Sequence, residues 1–263
     1  MMKPIENFPR DKKASITYLL TDIDDTITYK GRIPALAFEA LEDLDKAGIK
    51  VIPITGRPAG WCDHIARMWP VKGVVGENGA LYFSYDVHAK KMIKRYFKSA
   101  QERAEDKKKL AAIEQKILKQ VSGCVVSADQ PYREADLAID FSEDVPALSQ
   151  PEINKIVDLF EQEGATAKIS SIHVNGWFGS YDKLSMTKIL FKEIFKTDLD
   201  LIKENVVFAG DSPNDEPMFE YFPNSVGVAN VLAFKDTLEF KPAWITKKEG
   251  GFGFAQLVKM LIS

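Results

Sequence analysis

Apolar residues fall along this chain in short runs that stop at acids or turn residues. Tyr18-Leu19-Leu20-Thr21 is the first, and it ends in Asp22-Ile23-Asp24-Asp25-Thr26. Ile33-Pro34 then opens a helical pattern with Phe38, Leu41 and Leu44 on one stripe, closed by Gly48. A nearly continuous apolar run follows over 49–54. Strand, helix, strand within about forty residues predicts the βαβ unit of a parallel sheet, so both strands end on the same edge. The pattern next predicts a helix over 61–69, a short buried strand over 73–76, a turn at Glu77-Asn78-Gly79-Ala80 and a returning strand over 81–85.

From about residue 86 to 181 the pattern changes. A long charged helix over 100–121 carries Leu110, Ile113, Ile117 and Val121 as its apolar stripe. Two short strands, 124–128 and 137–141, precede a second helix marked by Ile153, Ile156, Val157 and Phe160 and closed by Gly164, and 165–174 is a further extended run. This order predicts a small α+β unit with an antiparallel sheet, 86–181, inserted into a core made of 1–85 and 182–263. The parallel-sheet pattern resumes with a helix over 184–195 and a strand over 205–209 that stops at Gly210-Asp211-Ser212-Pro213-Asn214-Asp215. A helix over 218–222, a strand over 225–229, a helix over 232–238, a strand over 243–246 and a last helix from Phe252 complete an α/β chain.

Two apolar strands emptying into acids at one sheet edge make that edge the candidate site. In extended backbone Asp22 and Asp24 point to one side and Ile23 to the other. Carboxylates held together repel, and Mg2+, with its preference for hard oxygen ligands, is the cation that fits them. The plainer reading is that these acids solvate a strand end and cap the next turn. In Thr55-Gly56-Arg57-Pro58, Gly56 allows a tight turn and Pro58 suits a first helical turn, where exposed N–H groups attract anions. Thr55 reads equally as a phosphate donor and as an N-cap, and Arg57 as a phosphate contact or a surface ion pair. Asn78-Gly79 is above all a hairpin signal, with a ligand role for Asn78 the lesser reading. His173 and Asn175 alternate in phase and either meet a ligand or form the polar face of a half-buried strand, and Arg133 is a further candidate.

Composition narrows the class. The 263 residues are 45% hydrophobic and 28% charged with a net charge of -3, a soluble globular profile without the basic face that nucleic acid requires. Only Cys62 and Cys124 are present, which fits a reducing compartment, and Cys62 near His64 makes no zinc pattern. The amino terminus lacks an apolar targeting segment and no run reaches the length of a membrane span, so the expected location is the cytoplasm and a membrane partner is not expected.

Taken in order, Asp22-Ile23-Asp24-Asp25-Thr26, Thr55-Gly56-Arg57, Lys183 and Gly210-Asp211-Ser212-Pro213-Asn214-Asp215 resemble the motifs of the haloacid dehalogenase superfamily of phosphohydrolases, from about Ile16 to the end. The insertion resembles the large α/β cap of the Cof-type, sucrose-phosphatase-like subgroup. This resemblance implies a Rossmann-like core with an inserted cap. It implies Asp22 as the nucleophile, Asp24 as general acid and base, and Thr55 and Lys183 as the grip on phosphoryl oxygens, with Lys188 one turn along as the rival lysine. Mg2+ would be held by Asp22, the Asp24 carbonyl and Asp211, with Asp215 close by. Gly56, Arg57, Asn78, His173, Asn175 and Asn214 would surround the substrate. The expected activity is Mg2+-dependent hydrolysis of a small phosphorylated metabolite, a sugar phosphate, through an aspartyl-phosphate. A phosphomutase would use the same aspartates but would hold a second phosphate, and the insertion shows no tight arginine cluster. A receiver-like phospho-acceptor module would be shorter and would need no second acidic motif.

Overall fold

The computed structural model describes residues 2–263. Its first half runs β1 (Lys3–Pro4), α1 (Arg10–Ser15), β2 (Tyr18–Thr21), α2 (Ala35–Lys46), β3 (Lys50–Pro53), α3 (Ala59–Met68), β4 (Val74–Gly76), β5 (Leu81–Asp86), β6 (Lys91–Tyr96), α4 (Ala100–Gln120), β7 (Val125–Val126) and β8 (Leu137–Asp140). The second runs α5 (Gln150–Gln162), β9 (Thr166–Ile169), β10 (His173–Trp177), α6 (Lys183–Leu190), α7 (Leu199–Ile202), β11 (Val206–Gly210), α8 (Glu216–Tyr221), β12 (Ser225–Gly227), β13 (Trp244–Ile245) and α9 (Gly250–Ile262). No helix among the described residues is long and apolar enough to cross a membrane.

Strands β1, β13, β12, β11, β2 and β3 lie side by side in that order, all parallel. Thr21 stands opposite both Ala209 and Pro53, so the central strands end at one level. The chain leaves β2 toward β3 on one side and β11 toward β12 on the other. Strand order thus reverses between β2 and β11, and the crevice beyond their carboxyl ends is where such sheets bind ligands.

Alternation along these strands fills two cores. Leu19, Val51 and Val207 pack with Leu41 and Leu44 of α2, Ile65 of α3 and Leu257 of α9. Leu20, Ile52 and Phe208 pack with Met186 and Leu190 of α6 and Met218 of α8. A sheet covered on both faces needs apolar side chains at every position, which is why β2 and β11 read as unbroken runs.

Strands β4 and β5 form the expected hairpin around Asn78-Gly79, and β6 pairs with the free edge of β5. This differs from the expected boundary near residue 86, because β6 extends the core's edge sheet to Tyr96. Lys91, Lys94 and Arg95 on its exposed edge hide it from an apolar-pattern reading. The extended run over 165–174 is two strands, not one. β9 and β10 pair antiparallel, and the Ser170 hydroxyl accepts the His173 N–H at the turn between them. The helix expected over 232–238 is instead a 3-10 segment at Ala229–Phe234, and the polar amino terminus supplies β1 and α1.

The inserted sheet, β7-β8-β10-β9, is antiparallel with α4 and α5 on one face. Leu137, Ile139 and Val174 point into that apolar layer, and Gly176 leaves room for the Phe160 ring. The alternate residues Ala138, Asp140, His173, Asn175 and Trp177 occupy the opposite face and are buried. Trp177 stacks on Tyr181 at 5.7 Å beside Ala80 and Ala135, which joins the cap to the core.

Helix α6 begins with a capping box in which Asp182 accepts the Ser185 N–H at 2.7 Å and Ser185 caps in return. Gly79, at φ +105°, lies directly against the Asp182 carbonyl, where a Cβ would collide. The hairpin glycine therefore sets how closely the start of α6, and with it Lys183, approaches the sheet. Gly79→Ala should lower stability by about 1–3 kcal/mol through overpacking and backbone strain, measured as a reduced denaturant midpoint. An unchanged midpoint would contradict this packing.

Candidate active site

Asp22 follows β2 and Asp211 follows β11, and the Asp22 N–H donates to the Ala209 carbonyl at 2.9 Å, which ties the two strand ends together. Carboxylate oxygens of Asp22, Asp211 and Asp215, all buried, lie within 4.8 Å of one another. Lys183, at the start of α6, places its ammonium 2.7 Å from Asp22 Oδ1 and 2.7 Å from Asp215 Oδ1. The second Asp215 oxygen accepts the Asp211 N–H at 3.0 Å. Asp211 is steadied by Thr26, whose hydroxyl donates at 3.0 Å, and by the Asn230 amide at 3.1 Å.

Burial dominates the electrostatics here. It raises the Asp22 carboxyl to about 8, against the opposing pull of Lys183 and with added repulsion from Asp215 and Asp24. Asp211 is likewise pushed far above the usual carboxylate range by burial, then by Asp22 and Asp215. Burial disfavours the Lys183 ammonium, but Asp215 and Asp22 outweigh it and its pKa rises. Three buried carboxylates around one ammonium are undercompensated, and their hard oxygen donors suit Mg2+.

Asp22 and Asp24 line the same small cavity, although the chain turns sharply after β2 and Asp25 takes φ +54°. Gly56, Arg57, Ser212 and Asn214 form its remaining core wall, and Arg133, Ser170 to His173 and Asn175 close it from the cap. Arg57 is buried, not a surface residue. Its Nε donates to Asp24 at 2.9 Å, its Nη2 to Asp24 at 2.9 Å and to Glu143 of the cap at 2.7 Å. Its guanidinium also lies 4.5 Å over the Trp61 ring. Glu143 is positioned by Asp140, whose carboxylate accepts the Glu143 N–H at 2.7 Å. His173 Nε2 lies 2.9 Å from Glu143 Oε2 but too obliquely for a hydrogen bond. The His173 ring and Arg57 together hold the Glu143 carboxyl down to about 2.

A second set of ion pairs clamps the cap in place. Arg133 is fully buried, donating through Nε and Nη2 to Asp129 at 2.8 and 3.0 Å. Its Nη1 donates to Asp136 at 3.0 Å and to the Gly56 carbonyl at 2.9 Å. Asn175 donates to the other Asp136 oxygen at 3.0 Å. From the core side, Glu77 accepts the Ala59 N–H at 2.9 Å and the cap N–H groups of Glu134 and Ala135 at 2.8 and 2.6 Å. Burial, with Asp136 nearby, raises Glu77 to about 7.

Asp22, Asp24, Lys183, Asp211 and Asp215 thus converge from three separate segments, and Gly56, Arg57, His173, Asn175 and Asn214 face the same cavity. Lys188, the rival lysine, pairs with Asp200 at the surface. Thr55 and Asn78 are buried beside the Gly56 turn. Thr55 Oγ1 accepts the Arg57 N–H at 3.0 Å and holds the turn, while the N-cap of α3 is Pro58. Asn78 donates its N–H to the Thr55 carbonyl and packs against Gly56. The plainer reading of His173 and Asn175 as solvent-facing is corrected, since both are 2% exposed. Glu77, Glu143, Asp129 and Asn230 were not singled out from the sequence, because each is an acid or amide in a turn with nothing local to mark its long-range partner.

A family model described as haloacid dehalogenase-like hydrolase matches residues 19–169. Among solved structures, protein 0175 of Thermoplasma acidophilum superposes with a TM-score of 0.70 at 20% identity, covering 94% of this chain and 98% of that one. The sucrose-phosphatase of Synechocystis sp. PCC6803, solved with sucrose and phosphate, gives 0.63 at 15% identity over 93% and 97%. The HAD subclass IIB sugar phosphatase BT4131 gives 0.62 at 16% identity over 92% and 98%. At these identities the similarity is one of fold. No curated protein matches the chain.

Removing one partner of a buried ion cluster leaves the others uncompensated. Arg133→Met strands Asp129 and Asp136 and should cost about 3–5 kcal/mol of stability, read from denaturant unfolding. A loss under about 1 kcal/mol would mean that the clamp is solvated and contributes little.

Proposed function

The chain belongs to the haloacid dehalogenase-like hydrolase family, and from that membership we propose that it is a Mg2+-dependent phosphatase of a small phosphate monoester, a sugar phosphate, acting through an aspartyl-phosphate. The observation that carries this reading is the buried set of Asp22, Asp211, Asp215 and Lys183, whose Asp22 also lines a cavity with Asp24. Phosphoryl transfer asks for positioning and charge neutralisation, and this set is built for both.

In the first half-reaction an Asp22 oxygen bonds to phosphorus as the ester P–O bond breaks, and a proton from Asp24 passes to the leaving alkoxide. In the second, Asp24 takes a proton from water, the water oxygen attacks phosphorus, and the bond to Asp22 breaks to release orthophosphate. Lys183, fixed between Asp22 and Asp215, offsets the repulsion between an anionic ester and an anionic nucleophile. The Asp22, Asp211 and Asp215 carboxylates, with the Asp24 carbonyl, would hold Mg2+, which supplies further neutralisation of the phosphoryl oxygens when bound. Arg57 orients Asp24, Thr55 acts through the Gly56 turn, and Ser212 and Asn214 complete the wall.

The cavity is about 20 Å³, room for a water but not for a sugar phosphate. An adjoining groove of about 450 Å³ opens at Asp24 and Arg57 beside Trp61. This supports a closed cap that swings away to admit substrate, as lids over such sites do. The guanidinium groups of Arg57 on the core and Arg133 on the cap are both engaged by carboxylates, which leaves neither free for a second phosphate and favours hydrolysis over a mutase reaction.

Asp22→Asn should abolish orthophosphate release from p-nitrophenyl phosphate, whereas Asp24→Asn should slow it and let phospho-enzyme accumulate, detectable by intact mass. An active Asp22→Asn protein would refute the nucleophile assignment. The raised carboxyls give a second test. A buried Asp that titrates near 8 when folded and near 3.8 when unfolded holds an extra proton in the folded state, so the metal-free protein loses stability as pH rises from about 4 to 8. Metal binding requires the carboxylate and competes with that proton. The rise in Tm on adding Mg2+ should therefore be larger at pH 8.5 than at pH 6 and should vanish in Asp211→Asn. A shift independent of pH, or retained in the variant, would place the metal elsewhere.

A further inference from the structure

The charge around the core–cap seam of the cavity bears on what the leaving group can be. Four carboxylates, Asp24, Asp129, Asp136 and Glu143, surround two guanidinium groups, Arg57 and Arg133. Every nitrogen of both side chains already donates to an oxygen. Arg57 is held by Asp24, Glu143 and Asp129, the last at 3.4 Å, and Arg133 by Asp129, Asp136 and the Gly56 carbonyl. Lys30 is the cation at the neighbouring opening, exposed at its rim and set over the Tyr29 ring. An anionic substituent on the leaving group would meet guanidinium groups already paired with carboxylates and surplus negative charge, with Lys30 only at the exposed rim.

Polar groups with open capacity point the other way. His173 Nε2 is buried in the cavity wall without an aligned partner, 2.9 Å from Glu143. Glu143 itself is partly open to the cavity's outer side, with 30% of its side chain exposed. A carboxylate and an imidazole side by side suit a hydroxyl or an ammonium group that donates to the carboxylate, and they reject a second carboxylate or phosphate.

Resting on the phosphatase reading above, we infer that the cap selects phosphate esters whose leaving group is a hydroxyl-rich or amine-bearing donor carrying no negative charge, with Glu143 and His173 as the residues that read it. Arg57 cannot serve as an anion receptor while Glu143 and Asp24 hold it. Glu143 is therefore the residue that enforces the exclusion.

Matched pairs of esters test this in Mg2+ buffer: glycerol 3-phosphate against 3-phosphoglycerate, and glucose 6-phosphate against 6-phosphogluconate, with p-nitrophenyl phosphate as the common reference. The expected result is a kcat/KM at least about tenfold higher for the member without the carboxylate in each pair, the scale of one unfavourable charge contact. Glu143→Gln should narrow that ratio at least threefold, mainly through KM of the anionic ester. Equal or higher kcat/KM for the carboxylate-bearing esters, or an unchanged ratio in Glu143→Gln, overturns the inference and leaves the phosphatase reading standing. Absence of orthophosphate release from every ester, p-nitrophenyl phosphate included, overturns both.

Discussion

The ammonium of Lys183 between Asp22 and Asp215 is the contact on which the rest of the site depends. Carboxylates buried at the ends of adjacent strands repel one another, and desolvation alone drives them toward the protonated form. One lysine reaching in from the start of α6 offsets part of that cost, and it gets there because Gly79 lets the Asp182 carbonyl lie against the β4–β5 hairpin. A hairpin glycine, a helix cap and a strand register therefore all converge on one nitrogen atom. The negative charge that Lys183 leaves uncompensated is what a divalent cation would neutralise, and in the proposed reaction it must be neutralised before a phosphoryl group can approach.

The cap is joined to this centre by charge more than by apolar contact. Trp177, Tyr181, Ala80 and Ala135 form a small apolar junction, but Arg133, Arg57 and Glu77 make the specific links. Buried ion pairs contribute little net stability relative to a well-packed apolar interface, yet they are costly to misalign. Such an interface tolerates few relative positions of the two parts, and Asp24 on the core meets Glu143 on the cap through a single shared guanidinium. The contact thus places a core acid and a cap acid around one cation, and leaves each of its nitrogens engaged.

Much of this was legible in the chain itself. The unbroken apolar runs of β2 and β11 announced a sheet covered on both faces, and the acids that stop them marked its functional edge. Lys183 was legible only as one member of an ordered set, since a lysine opening a helix has no local signature. Strand β6 was missed because the exposed charges Lys91, Lys94 and Arg95 of this edge strand resemble a solvated loop, and the hairpin of β9 and β10 was merged into one run because its turn is only three residues, 170–172, long.

Sequence by itself determined the α/β class, the order of the central parallel strands and helices and the identity of the acidic strand ends, because periodicity and strand-end chemistry are local properties of a few neighbouring residues. Only the tertiary structure decided that Arg57 is buried between Asp24 and Glu143, that Glu77 holds the cap by its backbone, and that Thr55 and Asn78 brace the turn at Gly56. Those outcomes rest on contacts between residues far apart in the chain, such as the 86 positions separating Arg57 from Glu143, and on which polar groups folding leaves without water. No local pattern encodes such partnerships.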